Sequence, residues 1–204
     1  MTIPGIRYSI YQKNSRGCSG WHSDSERGEC TLNRRLNRVY EKAPVLNFPD
    51  SAKLVFMSDC HRGVGNGNDN FEQNQNLCFS ALQYYYENGF IYFELGDGEE
   101  LWENRKLSQI IAAYGNIYWL MKKFYEDNRL FMIYGNHDDR KKNEKYVRRN
   151  YAYFYNECKN CREPLFPGID IREAYRIHIM DFELFLLTVI SAICSMIICA
   201  SLHG

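Results

Sequence analysis

Three short apolar runs in this chain each stop at a cluster of polar residues. Lys53-Leu54-Val55-Phe56-Met57 leads to Ser58-Asp59-Cys60-His61, and Phe90-Ile91-Tyr92-Phe93-Glu94-Leu95 to Gly96-Asp97-Gly98-Glu99-Glu100. Arg129-Leu130-Phe131-Met132-Ile133-Tyr134 leads to Gly135-Asn136-His137-Asp138. Runs of this length, closed by Gly, Asn and Asp, read as buried strands. Between them, apolar residues fall at helical spacing: Phe71 to Glu87 through Leu77, Phe79, Leu82 and Tyr86, and Leu107 to Asp127 through Ile110, Ile111, Tyr114, Ile117, Tyr118 and Met121. The alternation predicts an α/β domain with right-handed crossovers and a largely parallel sheet. Ligands of such sheets bind at the carboxyl ends of the strands, where all three clusters fall.

The flanks are less regular. Residues 1–50 are rich in Ser, Arg, Asn and Gly and read as an irregular leader with one short helix at Arg34 to Tyr40. Asp138 or Asp139 is placed to cap a helix from Lys141 to about Tyr155, whose run Arg140-Lys141-Lys142, Lys145, Arg148-Arg149 reads as a solvated face. After a turn at Pro164 to Gly168, Ile169-Asp170-Ile171, Tyr175 to Ile179 and Glu183 to Leu187 read as short strands opening a second sheet.

Equal numbers of basic and acidic residues, 25 each, give no net field to recruit nucleic acid or an anionic membrane. The first residues carry neither the basic segment nor the apolar run of a secretory signal, so a cytoplasmic location is expected. Eight irregularly spaced cysteines do not make a disulfide framework. Cys158-x-x-Cys161 has metal-like spacing but no second pair, and Cys60 reads as a packed thiol pointing away from its neighbours.

Asp59 and His61, two apart at a strand end, offer an oxygen and a nitrogen to one divalent ion. Asp97 follows a glycine that lets the backbone turn tightly, so its carboxylate is placed to bridge two ions. Asn136 offers a neutral amide oxygen to the second ion, and His137 beside it can meet a substrate. Glu99, Trp102 and Arg105 read as wall or packing residues.

In order and spacing, Asp59-x-His61, Gly96-Asp97-x-x-Glu100 and Gly135-Asn136-His137-Asp138 resemble the calcineurin-like metallophosphoesterase superfamily over roughly residues 50 to 188. The resemblance implies a β-sandwich flanked by helices. It implies two divalent ions (Mn, Fe or Zn), with Asp59 and His61 on the first, Asp97 bridging, and Asn136 on the second. A phosphomonoester or phosphodiester would be hydrolysed by a metal-bound hydroxide, with His137 as general acid and Glu100 orienting it.

The family's later Gly-His and Gly-His-x-His motifs are missing; His178 reads as a strand residue and His203 is near the end. The second sheet is therefore expected to be incomplete. Leu184 to Leu202 is an uncharged stretch of nearly membrane-spanning length, which offers a membrane anchor as one reading of residues 189–204. A frameshift is the other: if Thr188-Val189-Ile190-Ser191 is encoded ACG GTC ATC AGY, the frame one nucleotide earlier reads Gly-His-Gln. On either reading, the alternative to an active enzyme is an inactive fragment or a membrane-tethered binding protein.

Overall fold

The computed structural model of the chain describes residues 34–67, 69–156, 159–188 and 196–202. Residues 34–42 form helix α1, followed by β1 (Val45–Phe48) and β2 (Leu54–Met57). Then come α2 (Gln75–Glu87), β3 (Ile91–Leu95), α3 (Leu107–Ala113), α4 (Gly115–Glu126) and β4 (Leu130–Ile133). The last part holds α5 (Glu144–Asn150), β5 (Tyr153–Asn156), β6 (Cys161–Pro164), β7 (Ile171–Arg172), β8 (Ala174–Ile179), β9 (Phe182–Thr188) and β10 (Met196–Leu202).

Two four-stranded sheets stack on each other. One is wholly parallel, in the order β2-β3-β4-β7; the strand and helix alternation predicts β2, β3 and β4 there, whereas Ile171, expected to open the second sheet, joins this one in β7 by pairing with Met132 of β4. The other runs β1-β8-β9-β10, with β1 parallel to β8 and the remaining pairs antiparallel.

Side-chain alternation sorts the residues into layers. In β3, Phe93 and Leu95 face the second sheet, where they meet Tyr175, Ile177 and Leu186. Tyr92, one residue away, faces the helices and packs with Leu82, Ile110, Ile117, Met121 and Phe124. Val39 and Ala43 of α1 cover the outer face of the second sheet at Ala174, Phe185 and Leu187. The layers are thus helix, sheet, sheet, helix. At their centre Phe93 stacks on Phe131 with ring centroids 4.9 Å apart, a contact worth about 0.5–1.5 kcal/mol beyond its buried area.

Several elements differ from their sequence expectation. The short helix expected at Arg34 to Tyr40 forms as α1, but Val45–Phe48, read as part of an irregular leader, supply the strand β1. The single helix expected over Leu107 to Asp127 breaks at Tyr114, whose φ of −118° and ψ of 37° lie outside the helical region. Gly115, a poor helix former, opens the next segment. The buried Tyr114 hydroxyl donates to Asp69 Oδ2 at 2.5 Å, which fixes the break. The helix expected to reach Tyr155 ends at Asn150. Its N-cap is Asn143, whose side chain accepts from the Lys145 and Tyr146 amides, rather than Asp138 or Asp139. Tyr153 to Asn156 instead pair with β6 as a hairpin, as the run of aromatics Tyr153-Phe154-Tyr155 favours. Leu77, counted in the apolar stripe of α2, is 72% exposed, and Cys78 and Leu82 carry that face.

Residues 189–195, 203 and 204 of the apolar tail lie outside the described residues, as does Cys158. The backbone of Met196–Leu202 pairs antiparallel with β9. Among the described residues, no helix is long and apolar enough to cross a membrane.

Candidate metal centre

Parallel pairing brings the three polar clusters to one end of the first sheet. It continues past the strands: His61 N donates to Asp97 O at 2.8 Å, Arg62 N to Gly98 O at 3.0 Å and Glu100 N to Arg62 O at 3.0 Å. Leu101 N donates to His137 O at 3.1 Å, which ties in the third loop. Asp59, His61 and Asp97 all have positive φ, at 55°, 48° and 50°. Few side chains adopt this left-handed region, and Asp and His are among the more tolerant.

Two glycines allow the loops to close. A β-carbon on Gly96 would lie 2.5 Å from Thr188 Cγ2 and 3.0 Å from the Gly135 backbone. One on Gly135 would lie 2.2 Å from Asp97 Oδ1. Gly96 also has a φ of +78°, so no other residue fits without displacing a neighbour.

At the centre, Glu100 Oε2 receives two imidazoles, His61 Nδ1 at 2.9 Å and His137 Nδ1 at 2.7 Å. A carboxylate only accepts, so both Nδ1 atoms donate and both Nε2 atoms are left to meet a ligand or substrate. The rings meet edge to face, with centroids 4.5 Å apart. His61 Nε2 lies 3.8 Å from Asp59 Oδ1. Ligand atoms of Asp59, His61 and Asp97 lie within 4.8 Å of one another, as do those of His61, Glu100 and His137. Asp97 Oδ1 also accepts the His137 amide at 2.7 Å. Glu100 Oε1 is buried with no hydrogen-bond partner among the described residues.

The electrostatics fit a cation site. The Asp59 carboxylate beside His61, helped by Glu100 and Asp97, overcomes burial and pushes that imidazole up to about 9. Burial raises Asp97 above the usual carboxylate range. Burial alone would raise Glu100 too, but its hydrogen bonds from His137 and His61 hold it below.

Behind the centre lies a buried ionic network built from the residues next to the candidate ligands. Arg62 follows His61, Glu99 precedes Glu100, and Asp138 follows His137; with Glu94 and Lys141, all five have exposures of 0–1%. Arg62 Nη2 lies 2.6 Å from Glu94 Oε1 and 3.1 Å from Glu99 Oε1. Lys141 Nζ lies 2.5 Å from Glu99 Oε2 and 2.6 Å from Asp138 Oδ2. Tyr118 and Tyr151 donate to Glu99 at 2.7 and 3.0 Å. Asp138 accepts from the Gly98 and Gly135 amides at 3.1 and 2.6 Å, which fixes the second loop to the third.

Asp59, His61, Asp97, Glu100 and His137 therefore converge, and Asn136 sits half-buried between Gly135 and His137. Cys60 packs against the helices beside Cys78, and burial with a hydrogen bond to that thiol raises it well above the usual range. His178 stays on β8, 3.6 Å from Glu183 and remote in sequence from the cluster. Sequence reasoning missed two features, the bond from Glu100 to His61 and the burial of Lys141, and it read Trp102 as a wall or packing residue without placing it against His137. The Trp102 indole is 61% exposed and stacks on His137 at 4.0 Å and 25°. A signal for the network was present, since Glu94 interrupts an apolar strand and a buried carboxylate needs a cation. No family model, curated protein or solved structure matches the chain.

Proposed function

We propose that the chain is a metal-dependent phosphoesterase of calcineurin-like type, acting on a phosphomonoester or phosphodiester. The observation that carries this reading is the convergence of Asp59, His61, Asp97, Glu100 and His137 from three loops at the carboxyl end of one parallel sheet. The helix, sheet, sheet, helix layering supports the matching fold.

The donor set suits a divalent ion. Asp59, His61 and Asp97 would hold the first, with the His61 tautomer fixed by Glu100 in the carboxylate–histidine–metal manner. Asp97 and Asn136 would serve the second, and mixed oxygen and nitrogen donors fit Mn, Fe or Zn. Such ions supply Lewis acidity at phosphoryl oxygens and acidify bound water. The chain's own contribution is proton transfer at His137. Glu100 neutralises its imidazolium at Nδ1, which leaves Nε2–H to protonate the leaving oxygen, while the Trp102 stack limits ring rotation.

The ligand count favours one further reading. Asp97 and Asn136 alone hold a second ion weakly, which would make the chain an inactive one-metal protein of the same fold. Hydrolysis of p-nitrophenyl phosphate and bis-p-nitrophenyl phosphate with added Mn2+, together with metal content per chain, tests both. Turnover abolished by EDTA and by Asp97→Asn supports the enzyme. One tightly bound ion without turnover supports the second reading, and turnover surviving Asp97→Asn refutes the bridging role.

A further inference from the structure

A cavity of about 550 Å³ opens between α1, the turn after β4, α5 and the segment leading to β7. None of Asp59, His61, Asp97, Glu100, Asn136 or His137 lines it. Its volume falls in the range of small-molecule sites. Its floor includes Val39, Val147 and Phe166, all buried.

The cavity's charge is lopsided. Of its three acids, Asp170 is paired with Arg172 at 2.6 Å and Glu173 with Arg35 at 3.7 Å, which leaves Glu144. Against it stand Arg38 and Lys42 on α1, and Lys142 and Arg148 from the segment before α5 and from α5 itself. Among the described residues, none of these four cations has a carboxylate within ion-pair distance. Lys142 lies over the Tyr134 ring, 5.6 Å from its centroid, and that ring adds an aromatic surface to the lining.

Cations from two separate segments of the chain beside buried apolar residues suit a ligand with a multiply charged end and a flat or apolar body. We propose that this cavity binds an organic polyanion of nucleotide size, with phosphates among Arg38, Lys42, Lys142 and Arg148 and the apolar body against Val39, Val147 and Phe166. Binding here needs neither a metal ion nor turnover, so it stands or falls independently of the phosphoesterase reading.

ADP is the probe, titrated calorimetrically into the full chain in EDTA at 0.15 M salt. Saturable one-to-one binding is expected, weakened at least tenfold in the double variant Arg38→Gln with Arg148→Gln. The pair Lys145→Gln with Arg149→Gln removes two nearby positive charges that do not line the cavity, and it should change affinity less than twofold. Pyrophosphate should bind at least tenfold more weakly than ADP. Absence of saturable ADP binding, or equal losses in the two double variants, overturns the site. Pyrophosphate binding as tightly as ADP overturns the role of the apolar floor. All four side chains are exposed, and circular dichroism melts of each variant confirm that the comparison is between folded proteins.

Discussion

Replacing Lys141 with Met tests whether the buried network beneath the candidate metal centre depends on its second cation. The wild-type cluster has two cations, Arg62 and Lys141, against three carboxylates, Glu94, Glu99 and Asp138, all essentially without solvent contact. Lys141→Met leaves one cation for three carboxylates and removes both short contacts of Nζ, at 2.5 and 2.6 Å. Methionine fills most of the lysine volume, so the loss is mainly electrostatic. Removing one partner of a buried ion pair costs about 3–5 kcal/mol. In a chain of this length each kcal/mol moves the melting midpoint by about 2–4 °C, so a fall of roughly 6–20 °C is expected. Differential scanning calorimetry measures it. Adding Glu99→Gln to Lys141→Met should recover part of the loss, because the amide oxygen can accept from one of Tyr118 and Tyr151 while its NH2 donates to the hydroxyl oxygen of the other, without a buried charge. A Lys141→Met variant that melts within about 2 °C of wild type would refute the argument, as it would mean that Glu99 and Asp138 need no counterion there.

Glu100→Gln removes the negative charge that both imidazole Nδ1 atoms face and turns one carboxylate oxygen into a donor NH2, so Mn2+ affinity should fall about 10–100-fold by calorimetry while the fold persists. Gly135→Ala places a β-carbon 2.2 Å from Asp97 Oδ1, so it should weaken Mn2+ binding at least as much as Asp97→Asn does, an effect a metal titration would detect. Acid unfolding should expose the network: burial opposes ionised Glu99, but Lys141 and Arg62 bring its carboxyl from 4.5 to about 2. The unfolded chain then binds this proton first, so the stabilisation is present above about pH 4.5 and lost as pH falls toward about 2. In Lys141→Met the urea midpoint should decline at a higher pH.

Patterns local in sequence were the legible ones. Each of β2, β3 and β4 is a mainly apolar run and each candidate ligand lies within a few residues of its strand end, so the meeting of the three clusters was legible from spacing, while the pairing of Glu100 with His137 came from the family resemblance. The strand β1 was not legible, because Val45 pairs with Arg176 across 131 residues and no local pattern encodes that partner. The burial of Lys141 was hidden for a related reason. On a basic run it resembles its solvated neighbours Arg140 and Lys142, and only the three-dimensional approach of Glu99 and Asp138 sets it apart. The stop at Tyr114 depends on a hydroxyl reaching Asp69, which periodicity does not see.

The left-handed backbone at Asp59, His61 and Asp97 bears on whether this centre can be moved to another protein. A designer who copied only the side chains onto regular strand ends would aim them along the wrong directions, because the turn at each Cα sets where its ligand atom points. Each such conformation costs about 1–3 kcal/mol unless its surroundings enforce it. Here the enforcement comes from the close approach of Gly96 to Gly135 and from the Asp138 and Arg62 contacts beneath. The smallest transplantable unit is therefore the three loops together with the charged layer under them.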